Sequence, residues 1–425
     1  MGRQDRDLVQ GDVSVILSGS YRKTCLDNGL RVVSEHVPYV RSISLGIWVQ
    51  VGSRDEQSPE RGLSHFLEHM LFKGTRKRNT FDIAHSLESL GGGLDAFTSR
   101  DLTCFYARCL DEHAEVALDV LADMLQSSVL DPKEIEKEKR VVLEEIQNVE
   151  DTPDDLIHDL FAKSVWGHHP VGEPILGTPD SVMSFTRQGL KGYLERHYVP
   201  GRMVIAAAGN LDHERLVDLT LGFWDSAASR VLPLQRIRPD NTGHSKQHYR
   251  RDIGQTHICL GTTACSYTHP RRFDQLVANT ALGEGMSSRL FQQIRERLGL
   301  AYSVYSYLEM LEDTGLFGTY MACDSARVDR AIEIAYAELV RLKQDGISPR
   351  ELESSKAQLR GELILGCESM DKRMGRLAQQ EIYTGRYMPV EASLEAIGKV
   401  RQEGVLEACQ TLLKEDCMHQ VTVGP

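Results

Sequence analysis

Two imidazoles and a carboxylate stand close together in Gly62-Leu63-Ser64-His65-Phe66-Leu67-Glu68-His69-Met70-Leu71-Phe72. On a helix, 3.6 residues per turn sets His65, Glu68 and His69 on one face and leaves Phe66, Leu67 and Met70 to pack into a core. A histidine pair four apart can present two nitrogens to a zinc ion. The carboxylate between them can then reach water at an open coordination position without being a ligand itself. The order is the reverse of the His-Glu-x-x-His arrangement. The bland alternative is an amphipathic helix whose histidines sit at its polar edge.

Zinc held by two histidines lacks a third ligand, and an anionic one reduces the net charge of the site; His2Glu is a known catalytic set. Asp131-Pro132 opens a helix that runs to about Val149, proline sitting well in a first turn. Ile135, Val142 and Ile146 mark its buried stripe. Glu138 and Glu145, seven apart, lie along that stripe, whereas Glu144 points about 100° away. Periodicity leans toward Glu145 without settling the choice. Most of the remaining charges on this helix read as a solvated face laced with i, i+4 pairs. His168 and His169 are adjacent in a loop rich in Gly and Pro with no local carboxylate, which suits structural or surface residues better than ligands.

A chain of 425 residues exceeds one ordinary core, so two or more domains are expected, and 41% hydrophobic residues suffice to bury them. A formal net charge of -12 argues against a nucleic-acid partner. Residues 1–12 are polar with no secretory core, and no later run approaches a membrane span, so a cytoplasmic protein without a membrane association is expected. The nine cysteines are odd in number and lack metal-type spacing, which fits reduced, mostly buried thiols.

The elements that must position the motif follow from periodicity. Asn28-Gly29 turns into a strand at Leu30, and Ile43, Leu45, Ile47, Val49 and Val51 alternate as in a half-buried strand. The motif helix comes next, closed near Gly74 by a basic loop, and a second helix runs from Phe81 to about Leu90. Gly91-Gly92-Gly93 then favours neither helix nor strand and leaves the following strand, through Asp95-Ala96-Phe97-Thr98-Ser99, free to sit at a sheet edge. Edges are where an extended peptide can add as an extra strand.

Residues 226–250 are polar and aperiodic and read as a linker between halves 1–225 and 251–425. The second half echoes the first: Ser348-Pro349-Arg350-Glu351-Leu352 opens a long helix as Asp131-Pro132-Lys133-Glu134-Ile135 did. Nothing near Asp274 to Leu282 resembles the histidine motif, so the second copy keeps the fold pattern without the metal ligands. In Phe291 to Tyr302, Gly299 ends a helix. Arg295 and Tyr302 flank that break, where one could bind a peptide carbonyl and the other donate to an oxyanion. Composition alone favours the blander reading, Arg295 on a solvated face and Tyr302 as a packed strand residue.

These blocks together resemble the pitrilysin-type inverzincin zinc metallopeptidases, and most of all the bacterial peptidases similar to the catalytic subunit of mitochondrial processing peptidase. The resemblance covers nearly the whole chain from about Asn28. It rests on Gly62 to Thr75, the strand from Gly91 to Thr98, Glu138 with Glu145, and Arg295 through Tyr302. It implies zinc, one per chain, bound by His65, His69 and a glutamate 76 residues after the second histidine, which is Glu145. It makes Glu68 the general base, Glu138 a support behind the ligands, and Arg295 and Tyr302 groups that act on the substrate. Asp95 stands where the family usually carries Asn, which puts recognition of the substrate backbone in doubt. The implied fold is α+β, two similar halves each with a mostly antiparallel sheet and packed helices, closing like a clamshell. The implied activity is cleavage of unfolded or presequence-like peptides in an enclosed chamber, by a homodimer. The alternatives are a non-catalytic scaffold of the same fold, or a catalytic subunit that needs an inactive partner.

Overall fold

The computed structural model describes residues 19–224, 234–240 and 243–425. The polar stretch 1–12 and residues 226–233 and 241–242 of the expected linker lie outside them. Contacts divide the chain into two compact units, each discontinuous in sequence. One comprises 1–144, 174–235 and 363–392, the other 145–173, 236–362 and 393–425. Chain order suggested a division at 226–250; the contacts follow a different path, because two helices are exchanged between the halves of the sequence.

The first unit holds β1 (Ser20–Cys25), β2 (Arg31–His36), β3 (Ser42–Val49), α1 (Leu63–Leu71), α2 (Thr80–Glu88), β4 (Gly93–Thr98), β5 (Thr103–Leu110) and α3 (Ala114–Ser127). From α4 (Pro132–Asp151) the chain enters the second unit with α5 (Pro153–Trp166). It returns through α6 (Pro179–Ser184), α7 (Arg187–His197), β6 (Met203–Gly209) and α8 (His213–Trp224). The first sheet has the order β1-β2-β6-β3-β5-β4, antiparallel except where β2 meets β6.

The second unit continues with β7 (Ser245–Arg250), β8 (Thr256–Ala264), α9 (Arg272–Gly283), a π-helical turn at Phe291–Arg297, β9 (Ala301–Met310), β10 (Gly315–Cys323), α10 (Val328–Asp345) and α11 (Pro349–Gly366). After α12 (Met370–Thr384), which belongs to the first unit, come α13 (Val390–Lys399), α14 (Gln402–Leu412) and β11 (His419–Gly424). The second sheet runs β7-β11-β8-β10-β9, again antiparallel save for its β7–β11 pair. That order is the order β2-β6-β3-β5-β4 repeated, so the duplication read in the sequence is a duplication of topology.

Strand β3 shows what the exchange does. Its alternation suggested one buried face, yet from Ile43 onward the whole strand is buried. The face carrying Ser44, Gly46 and Trp48 is covered by α12, more than 300 residues away in sequence: Ser44 donates to Asp371 and the Trp48 indole to the Met374 sulfur at 3.0 Å. A Cβ on Gly46 would lie 2.9 Å from that sulfur, so a larger residue there would push the Met374 side chain aside. A buried pair of Arg373 with Glu35 and a pair of the exposed Lys23 with the buried Glu381 fasten the helix. Reciprocally, α5 lays Ile157, Phe161 and Val165 on the second sheet against Cys259, Val421 and Val423. An amphipathic helix declares that it has an apolar face; it does not declare which sheet will receive it.

All nine cysteines are free thiols, seven of them buried. Among the described residues no helix is long and apolar enough to cross a membrane.

Candidate metal centre

Helix α1 begins at Gly62, whose φ of 85° favours glycine and where a Cβ would lie 2.4 Å from the Leu176 carbonyl oxygen. The backbone N–H groups of Gly62 and Ser64, left without intrahelical partners at a helix start, donate to the buried Glu56 carboxyl, each at 2.7 Å. Burial pushes Glu56 up to about 8 against the lowering effect of these bonds. Ser64 bonds the Tyr193 hydroxyl at 2.8 Å. Phe66, Leu67, Met70 and Leu71 are buried, as the helical face analysis requires. The start and roll of α1 are thus set by buried polar bonds on one side and apolar packing on the other.

This posture brings His65 Nε2 and His69 Nε2 to 3.2 Å from each other. Two nitrogens bound to one tetrahedral zinc stand about 3.3 Å apart, so the pair has the spacing of ligands on a shared ion. Burial, and next the neighbouring His69, depress the His65 pKa to about 3, which keeps its ring in the neutral form that can ligate a metal. His69 donates from Nδ1 to Glu138 Oε1 at 2.8 Å, so its Nε2 is the nitrogen that could ligate a metal. Glu138 also takes an ion pair from Lys73 at 2.8 Å. Burial works to raise the Glu138 carboxyl, but His69 and Lys73 together hold it below its ordinary value.

Among the described residues, one group of three side chains can hold a metal ion: ligand atoms of His65, His69 and Glu145 all lie within 4.8 Å of one another. Glu145 is half-buried on α4, whereas Glu144 is exposed. Two imidazole nitrogens and a carboxylate converging in this way fit zinc.

Glu68 stands beside the two histidines, its Oε2 accepting from Thr98 Oγ1 of β4 at 2.5 Å. A cavity of about 260 Å³ is lined by Glu68, His69 and Lys73 together with Leu94, Asp95 and Ala96 of β4. Strand β4 ends the sheet, as the glycine run before it suggested. Asp95 is exposed and bonded to Tyr106 Oη at 3.1 Å and to the Ala96 backbone N–H at 2.8 Å. Ser99 lies just past the strand and closes the turn to Leu102 with a backbone bond of 2.7 Å.

In the second unit, Arg295 lies on the π-helical turn and Tyr302 opens β9, the counterpart of β4 at its sheet's end. The Arg295 guanidinium sits 4.5 Å from the Tyr302 ring centre and 4.7 Å from that of Phe291. Tyr302 is 77% exposed, so it is not the packed strand residue that composition allowed. His169 accepts from the Val171 N–H and bonds the Ile237 carbonyl, a structural use of the ring. Glu56 escaped the sequence reading because an acidic residue in a polar loop carries no periodic signal. Lys73 lies four residues beyond His69, which was a usable clue.

Residues 31–179 match the family model described as Insulinase (Peptidase family M16), and residues 184–359 match that of the Peptidase M16 inactive domain. An uncharacterised zinc protease of Bacillus subtilis is 41% identical over 396 residues, covering 93% of this chain and 96% of that protein. One from Streptomyces coelicolor is 39% identical over 413 residues, covering 96% and 89%. Among solved structures, a protease from Helicobacter pylori superimposes with a TM-score of 0.90 at 21% identity, over 96% of this chain and all of that one. A peptidase M16 inactive domain from Pseudomonas fluorescens gives 0.89 at 21%, over 96% and 98%. These two establish the fold alone. With relatives this similar along nearly its whole length, and with both family models matched in order, the chain belongs to the M16, insulinase-type, peptidase family.

Proposed function

We propose that this chain is a zinc-dependent endopeptidase acting on unfolded or presequence-like peptides held in an enclosed chamber. The observation that carries the reading is the convergence of His65, His69 and Glu145 within 4.8 Å, with Glu68 beside them on the same helix as the histidines. One zinc per chain would be held by these three residues. A bound zinc supplies Lewis acidity, which acidifies water and polarises a peptide carbonyl.

The chain's own groups do the rest. Glu68 takes the proton of the attacking water and returns it to the leaving nitrogen. Thr98, donating to Oε2, fixes the orientation of that carboxylate. Glu138 holds the His69 tautomer, and Lys73 balances its charge. The peptide lies as an added strand along residues Asp95, Ala96, Phe97, Thr98 and Ser99. Arg295 and Tyr302 bind the peptide carbonyl and donate to the oxyanion. Because one chain carries a complete set of ligands, the working form is a homodimer in the cytoplasm rather than a catalytic subunit dependent on an inactive partner.

Glu68→Gln tests the reading: peptide cleavage should be lost while zinc content stays at one per chain. Undiminished cleavage in that variant would refute it. Purified protein with no zinc and no activity would favour the non-catalytic scaffold. Mass measurement on an active preparation of this chain alone separates a homodimer from a subunit awaiting a partner.

A further inference from the structure

The backbone of β4 offers a second layer of selection. The Ser99 N–H to Leu102 O bond closes the β4–β5 turn, and the register pairs Phe97 with Cys104, Ala96 with Phe105 and Asp95 with Tyr106. Hydrogen-bonded and non-bonded pairs alternate in an antiparallel ladder, so Phe97 and Asp95 bond to β5. Ala96 and Thr98 turn their backbone groups to the outer side. The Ala96 N–H, which a peptide added along β4 would use, is instead covered by the carboxylate of Asp95 at 2.8 Å.

Side chains alternate across a strand, so Thr98 faces Glu68 while Asp95 and Phe97 face the other way. On that far face Phe97 is 39% exposed and sits edge-on to Trp48 and Tyr106, with ring centres 5.4 and 6.5 Å away. Burial first and then the Asp95 charge push the Tyr106 hydroxyl up to about 12, with Asp371 adding to the effect. Arg108 follows Tyr106 on the same face but makes no ion pair with Asp95 among the described residues. The Asp95 carboxylate and two aromatic rings, Phe97 and Tyr106, therefore gather on this face, and a carboxylate can only accept.

We infer that Asp95, Phe97 and Tyr106 form a specificity subsite for a lysine or arginine side chain of the bound peptide, on the face of β4 opposite Glu68. The inference rests on the peptidase reading and on peptide addition along β4. A cation drawn to Asp95 over the aromatic rings is recognised there, and it also draws the carboxylate off the Ala96 N–H, which becomes available to a peptide carbonyl. A neutral side chain does neither. Because the strand alternates, the favoured basic position falls an odd number of residues from one that faces Glu68.

The test uses peptide pairs that differ by lysine or norleucine at one position, walked through six successive positions. It reads kcat/KM on the wild type and Kd by fluorescence anisotropy on Glu68→Gln, each with and without Asp95→Asn. A lysine preference of about five- to tenfold is expected at positions of one parity, in both readouts, falling toward unity with Asp95→Asn. A preference that survives Asp95→Asn, or that ignores position, overturns the subsite. So does cleavage of both peptides at equal kcat/KM, which leaves the peptidase reading standing. If no peptide is cleaved by the wild type but the Kd preference is present and lost in Asp95→Asn, the subsite holds and the peptidase reading falls. Phe97→Leu supplies an independent check, since removing the ring should reduce the preference without removing the carboxylate.

Discussion

His69 Nδ1 lies 2.8 Å from Glu138 Oε1, and the second oxygen of the same carboxylate takes Lys73 at 2.8 Å. A glutamate seven residues before Glu145 thus acts on the site through an imidazole, fixing which nitrogen is left to ligate. Glu138→Gln keeps an acceptor but loses the charge that holds the imidazole and balances Lys73. Zinc affinity should fall about 10- to 100-fold, measured by competition with a chelator of known affinity.

Glu144 and Glu145 are adjacent and chemically identical, so they make a stringent comparison. Glu145→Gln should empty the purified protein of most of its zinc, whereas Glu144→Gln, altering an exposed side chain, should leave zinc stoichiometry and activity close to wild type. Metal analysis of the two variants side by side checks this; loss of zinc in both would mean that charge rather than ligation holds the ion.

Glu56 accepts two backbone N–H groups at the start of α1, and its folded pKa is raised to about 8 from an ordinary 4.5. A raised folded value means that the fold favours the protonated carboxyl. Its stabilising contribution is therefore complete below about pH 4.5 and declines as pH rises toward 8. Glu56→Gln leaves one buried N–H without its acceptor, costing about 1–3 kcal/mol. The difference in Tm between wild type and variant should be largest at the acid end and narrow as pH approaches 8.

Gly62 combines a φ of 85° with a Cβ position 2.4 Å from a backbone oxygen, so Gly62→Ala meets both strain and collision. The backbone conformation alone costs about 1–3 kcal/mol, and relief of the collision must shift α1. Lower Tm together with weakened zinc binding is expected, since the same helix carries both histidines.

Met374 is 2% exposed between α12 and the Trp48 face of β3. Met374→Ala should destabilise the first unit by about 2–5 kcal/mol, read by denaturant unfolding followed through tryptophan fluorescence. A neutral result would mean that α12 is not a working part of that core.

The sequence by itself determined what depends on near neighbours. His65, Glu68 and His69 share a face because one helix turn dictates it, and Glu138 and Glu145 share a stripe for the same reason. The glycine run marked β4 as an edge because its backbone resists regular structure, and Ser348-Pro349 echoing Asp131-Pro132 revealed a topology used twice. Tertiary structure decided whatever required two distant segments to meet. Which glutamate of α4 approaches the histidines is a matter of how two helices pack, and periodicity could only lean. That Ser44, Gly46 and Trp48 would be buried rather than wet depended on α12, and the receiving face of an amphipathic helix is written in its partner. The face on which the Asp95 carboxylate lies depended on strand register, since a shift of one residue would have turned it to the opposite face and a different N–H to the rim.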